Sequence, residues 1–83
     1  MIKFTFLIDQ VGLLDFHLNQ PVLNEKKSAW ICVVEWNGVS KGSSNVFGVS
    51  SLQSGSLAID FIRTELSAAY PLKAISELGV PLV

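Results

Sequence analysis

The stretch Val46-Phe47-Gly48-Val49-Ser50-Ser51-Leu52-Gln53-Ser54-Gly55-Ser56-Leu57-Ala58-Ile59-Asp60-Phe61-Ile62-Arg63-Thr64-Glu65-Leu66-Ser67-Ala68-Ala69-Tyr70 decides the fold. It reads as a strand end, a tight turn and one long amphipathic helix. Ser50 and Gln53 have the S-x-x-Q spacing of a capping box. The serine hydroxyl accepts the backbone N–H of Gln53, and the Gln53 amide reaches back towards the N–H of Ser50. Behind the cap, Leu52, Gly55, Ile59, Ile62, Leu66 and Ala69 recur at steps of three and four, the spacing of one buried helix face. Gln53, Ser56, Asp60, Arg63 and Ser67 line the opposite side. Pro71 stops the helix, because a residue that precedes proline avoids the α region.

Everything upstream reads as strand. Ile2, Phe4, Phe6 and Ile8 alternate with Lys3, Thr5, Leu7 and Asp9, a period of two with one face buried. Asp9-Gln10-Val11-Gly12 reads as a turn, with Gly12 free to take positive φ. Leu14, Phe16 and Leu18 then alternate with Asp15, His17 and Asn19, so the first two strands form a hairpin ended by Pro21. Pro21 to Ser28 reads as a polar surface loop. Trp30, Cys32, Val34 and Trp36 alternate with Ile31, Val33 and Glu35, and the apolar centre on both faces places this strand inside the sheet. Asn37-Gly38 is the strongest short hairpin signal in the chain. Val39 to Gly48 supplies the returning strand, which Gly42-Ser43-Ser44-Asn45 weakens towards an edge or a bulge.

The expected fold is therefore α+β. A four-stranded antiparallel sheet in β-β-β-β-α order is covered on one face by a helix from about Ser50 to Tyr70. A short second helix over Pro71 to Gly79 follows, with Leu72, Ile75 and Leu78 on one side. The expected core is Ile2, Phe4, Phe6, Ile8, Leu14, Phe16, Leu18, Trp30, Cys32, Val34, Leu52, Ile59, Ile62 and Leu66. The tail Val80-Pro81-Leu82-Val83 is apolar.

Eighty-three residues make one domain, of a size that buries only about 60% of its unfolded surface. The core is rich, with 49% hydrophobic residues and a mean hydropathy of +0.46. Charged residues make up 16%, below the roughly 25% usual in soluble domains. Little charge is thus available to cover apolar surface, and self-association is the ordinary remedy. Net charge is −1, and the six basic residues are scattered, which gives no footprint for nucleic acid. No apolar run approaches the roughly 18 residues of a membrane span. The N-terminus alternates and lacks a signal-peptide core, so a cytoplasmic protein is expected. The lone Cys32 excludes an internal disulfide framework and a cysteine-rich zinc site.

The stretch from Trp30 to Leu66 resembles a family of small uncharacterised bacterial domains. Those carry a W-x-C strand, a G-V-D-S-L-Q-A-L helix opening and an alanine-containing amphipathic helix. The matching residues are Trp30 and Cys32, then Gly48, Val49, Ser51, Leu52 and Gln53, then Ala58. Ser50 stands where the family usually has aspartate, which would also cap a helix. Ser54-Gly55 replaces Ala-Leu. The family has no assigned activity, so the resemblance implies an architecture alone. A weaker likeness is to HicB-like antitoxins, whose β-hairpin sheet precedes a G-x-[ST]-x-x-x-A-x-x-x-[IL] helix. Gly48, Ser50 and Ser54 lie near that pattern, and Ala58 and Ile62 follow it.

No chemistry-bearing constellation survives the strand phases. Cys32 falls in phase with Trp30 and Val34 in the core, while His17 belongs to the opposite face, so the two do not make a nucleophilic pair. Asp15 and His17 form one i, i+2 pair with no third metal ligand near in sequence. Gly48-Val49-Ser50-Ser51 precedes a helix, as an anion site would, but the cap uses the same donors. Trp30 and Trp36 are in phase with the core and pack there rather than stack on a ligand. Asp60 and Arg63 pair along a solvated helix face. No catalytic, cofactor-binding or metal-ligating residue is assigned, and no cofactor is expected. The reading is a small non-enzymatic protein-interaction domain, with another protein as partner or a homodimer formed through the face opposite the helix or through a sheet edge helped by the C-terminal tail. One helix covers one face of the sheet, so Leu7, Leu13, Ile31 and Val33 on the other face are the expected interaction surface, among Lys3, Thr5, Asp15, His17 and Glu35. An antitoxin or immunity-type protein that neutralises a toxin is the alternative, and a small enzyme or ligand-binding domain the third reading.

Overall fold

The computed structural model describes residues 2–77 and 80–81. Strand β1 (Ile2–Ile8) and β2 (Gly12–Leu18) form the expected hairpin, with Ile8 opposite Gly12 and Ile2 opposite Leu18. The turn between them places Gln10 at φ 63° and Gly12 at φ 138°. A short β3 (Val22–Asn24) follows, then the long β4 (Ala29–Gly38) and β5 (Gly42–Gly48). Helix α1 spans Ser51–Ala69. A single 3-10 turn at Leu72–Ala74 leads into β6 (Ile75–Glu77) and the two-residue β7 (Val80–Pro81). The result is α+β, an antiparallel sheet of six strands with the two-residue seventh at its edge, ordered β7-β6-β1-β2-β4-β5, with β3 in line with β2.

The number of strands departs from the expected four at two places. Residues 22–24, expected in a loop, pair with 31–29, and only the loop 25–28 lies between β3 and β4. Strands β2 and β3 are one strand broken by a bulge. Leu18 faces Val34 and Val22 faces Ile31, so three residues on one side oppose two on the other. The expected short C-terminal helix is absent over its described part. Ile75 instead pairs with Ile8 and is fully buried, while Leu72 is exposed. Strand pairing along the open edge of β1 satisfies backbone groups that a helix there would leave bare. Leu78 and Gly79, expected on that helix, and Leu82 and Val83 of the tail lie outside the described residues.

Asn37-Gly38 is not the β4–β5 turn. Both residues stay in the ladder with β2, Asn37 opposite Asp15 and Gly38 opposite Leu14, and the chain reverses between Trp36 and Gly42. Gly38 has φ 129°, and a Cβ there would lie 2.2 Å from the carbonyl oxygen of Leu13. The glycine serves close strand approach rather than a two-residue turn.

The inner sheet face and α1 enclose the core: Phe6, Ile8, Leu14, Phe16, Leu18, Cys32, Val34, Ala58, Ile62, Leu66 and Ile75. An aromatic series crosses it, from Phe6 to Phe16 (5.9 Å between centroids), to Trp36 (6.0 Å), to Phe61 on the helix (5.8 Å). Phe6 and Phe16 are buried, and each contributes about 1.5–3 kcal/mol.

The helix begins and ends as its sequence dictates. Ser50 Oγ accepts the Gln53 N–H at 3.1 Å. Gln53 Oε1 accepts the N–H of Val49 at 2.7 Å, one residue earlier than a standard capping box. Tyr70, before Pro71, is extended, and its N–H closes the last turn on Leu66 O at 3.0 Å. The buried face, however, is Ser54, Ala58, Ile62 and Leu66 rather than the stripe that begins at Leu52. Leu52 is 80% exposed and Ile59 41% exposed; Ile2 is also exposed, and Phe4 and Trp30 are half-buried. Close approach explains the rotation. A Cβ at Gly48 would sit 2.6 Å from Ser54 N, so only small side chains fit between the first turns of α1 and the sheet. The buried Ser54 hydroxyl is satisfied by Ser51 O at 3.1 Å.

Candidate functional site

Helix α1 lies over β4 and β5 on one face of the sheet. The helix leaves the other face open, apart from the Lys27 side chain over Phe47. The strand register orders that outer face into rows. Leu7 and Leu13 face each other at one end, beside Ser76. Thr5, Asp15 and Asn37 form the next row, and Lys3, His17, Glu35 and Ser43 the one after. Val33 then faces Asn45, and Val22, Ile31 and Phe47 form the last row.

The structure thus brings Ile31 and Val33 together but sets Leu7 and Leu13 apart from them. Two polar rows separate the two pairs, about 20 Å along the strands. The apolar end gains two residues that the sequence reading left out. Val22 is 65% exposed and Phe47 44% exposed, and both flank Ile31. Val22 was hidden in a segment read as loop. Phe47 alternates with Ser43 and Asn45, and that phase was its available signal. Lys27 reaches back from the β3–β4 loop and places its Nζ 5.3 Å from the Phe47 ring centre.

The middle of the face is polar. His17, Asn19, Glu35, Asn37, Lys41 and Ser43 line an open depression of about 530 Å³. Asn19 Nδ2 donates to Glu35 Oε1 at 3.4 Å. Lys3 Nζ stands 3.9 Å from Asp15 Oδ2, a loose pair, and Asp15 Oδ1 has no hydrogen-bond partner among the described residues. Asp15 Oδ1 is buried, but the pair reaches it through an exposed lysine at long range and contributes little stability.

Cys32 lies on the inner face, away from His17. Its Sγ donates to Asn19 O at 3.2 Å, and burial pushes the thiol above its ordinary value of 9.0. A protonated, hydrogen-bonded thiol is a poor nucleophile. Trp36 is held by Phe16 and Phe61, and a Cβ at Gly42 would meet its ring at 2.4 Å. The amides of Val49 and Gln53 at the helix start are taken by side chains of the cap itself. Among the described residues, no group of three or more His, Cys, Asp or Glu is placed to hold a metal ion, and no helix is long and apolar enough to cross a membrane.

A second apolar feature runs along the β1 side of the helix. Ile2, Leu18, Pro21, Leu52, Gly55 and Ile59 line an open groove of about 450 Å³. It exists because α1 sits over β4 and β5 and leaves the inner side of β1 partly bare.

Compared with known proteins, the chain matches no family model, no curated protein and no solved structure.

Proposed function

We propose that this chain is a small non-enzymatic protein-interaction domain whose working surface is the apolar end of the uncovered sheet face. The observation that supports it is the row Val22, Ile31 and Phe47, with Val33 beside it, on the face opposite the helix: Val22 and Phe47 are exposed there, and Ile31 and Val33 are half-buried between them. Side chains of this size cost free energy in water, about 25 cal/mol for each Å² of apolar surface. A partner that covers them recovers it. The polar rows beyond Val33 and the Lys27 ammonium form the rim that such surfaces carry.

The helix cap, the buried thiol and the solvent-open polar depression have structural or solvated roles, and this favours binding over catalysis. The resemblance to small bacterial domains of unassigned activity is consistent with the same reading and adds no chemistry to it.

The test is a pull-down from the source cell with the wild type and with Ile31→Lys. A partner that the wild type retains and the folded variant loses is the expected result. A partner held equally by both contradicts the assignment of this surface.

A further inference from the structure

We infer that the chain forms a homodimer through the free edge of β5, paired antiparallel with β5 of a second copy about a two-fold axis at Asn45. The inference rests on the interaction-domain reading for the role of association, but it uses a different surface and a named partner.

Three observations carry it. The first is backbone supply. Strand β5 pairs with β4 on one side only, and none of its N–H or C=O groups bonds to any other backbone among the described residues. An edge strand turns alternate N–H and C=O groups outward, where they template a further strand.

The second is the absence of the usual guards. Edges are ordinarily blunted by lysine, proline or short length. The other edges of this sheet have them: β7 is two residues long and contains Pro81, β3 is three residues long, and the stretch of β1 beyond its pairing with β6 carries Lys3. The sequence of β5, Gly-Ser-Ser-Asn-Val-Phe-Gly over seven residues, has neither charge nor proline.

The third is the flank on the helix. The β1 side of α1 is marked by Leu52, Gly55, Ile59 and Arg63, which line the grooves there. Leu57 and Phe61 fall on the other flank of the buried stripe, towards the free edge of β5. Leu57 is 42% exposed and Phe61 half-buried. Phe61 packs one side of its ring on Trp36 and leaves the rest open, beside the exposed Leu57.

A two-fold at Asn45 satisfies all three together. It sets Asn45 opposite Asn45, Ser43 opposite Phe47, and Ser44 opposite Val46, with no like charges in register. It also lays one helix beside its symmetry mate, so that Leu57 and Phe61 of each copy cover the other pair. The interface is isologous and closes on itself, which stops growth at two copies.

Sedimentation equilibrium at tens of micromolar tests it with three proteins: wild type, Asn45→Lys and Ile31→Lys, each checked for native circular dichroism. The expected result is a wild-type dimer, weakened roughly tenfold or more by Asn45→Lys, where two ammonium groups would face each other, and kept by Ile31→Lys. Oxidation of Asn45→Cys in a Cys32→Ala background provides an independent readout. Facing residues of an antiparallel pair have Cα atoms about 4.5–5.5 Å apart, within disulfide range, so a covalent dimer is expected. A monomeric wild type overturns the edge dimer and leaves the pull-down reading intact. A dimer that survives Asn45→Lys but dissociates in Ile31→Lys overturns it in favour of the uncovered face.

Discussion

The thiol of Cys32 donates a hydrogen bond to the carbonyl of Asn19 at 3.2 Å. That carbonyl sits at the bulge where β2 passes into β3, next to Gln20 and Pro21. Pro21 lacks an N–H, and the register slips by one residue there, so the ladder cannot serve every group. Cys32 faces the bulge from β4 and supplies the missing donor. Its place in the core and its hydrogen bond therefore have a structural use.

The thiol gives a prediction with a definite sign. Burial raises its pKa above 9.0, so the unfolded chain loses this proton at lower pH than the folded one. The stability carried by the protonated thiol is full below that ordinary value and falls as pH rises from it through the folded value. Urea midpoints of wild type and Cys32→Ala should converge over that window. Thiol labelling in native buffer should be slow, and fast in denaturant. Fast native labelling would overturn the placement.

The helix cap is the second test. Ser50→Ala removes the acceptor of the Gln53 N–H and should cost about 1 kcal/mol in urea denaturation. Ser51→Ala, at the first helical position, should leave the midpoint almost unchanged. The reverse order would move the cap by one residue.

Two glycines should respond in opposite directions. At Gly48 an added methyl would lie 2.6 Å from Ser54 N, so Gly48→Ala must lift the helix start off the sheet. The expected loss is about 1–3 kcal/mol. At Gly55 nothing lies within 4 Å of an added Cβ, and Gly55→Ala should stabilise by roughly 0.5–1 kcal/mol through helix propensity. Thermal melts of the two variants check both signs.

The buried stripe of the helix can be tested directly. Ile62→Ala should cost about 2–5 kcal/mol, as for a filled core site. Leu52→Ser, at an exposed position, should fall within about 0.5 kcal/mol of wild type. Equal losses at both would restore the more apolar stripe as the buried one.

Where local spacing carries the information, the sequence is sufficient. The β1–β2 hairpin, the phase of Cys32 and Val34, the cap at Ser50 and the stop at Pro71 all follow from it. Features set by distant contacts were not legible. The burial of Ser54 and Ala58 instead of Leu52 and Ile59 depends on how closely Gly48 lets the helix approach. The strand at Ile75 depends on a vacant edge at Ile8, and nothing in Leu72 to Glu77 records that edge. Asn37-Gly38 has the composition of a two-residue turn, yet pairing with β2 carries the strand through it. The same limit applies to the outer face. Alternation put Leu7, Leu13, Ile31 and Val33 on one side, but only the register shows that the bulk of Val22 and Phe47 collects around Ile31 while Leu7 and Leu13 stand apart.

The most direct test of an interaction surface at that end of the sheet is site-specific photo-crosslinking in the source cell. A photoreactive residue is placed at Val22, away from the β5 edge, in one variant and, as the control, at the exposed Leu72 in another. A discrete protein adduct from position 22, well above that from position 72, is the predicted result. Equal adducts from both positions, or none from position 22, would contradict it.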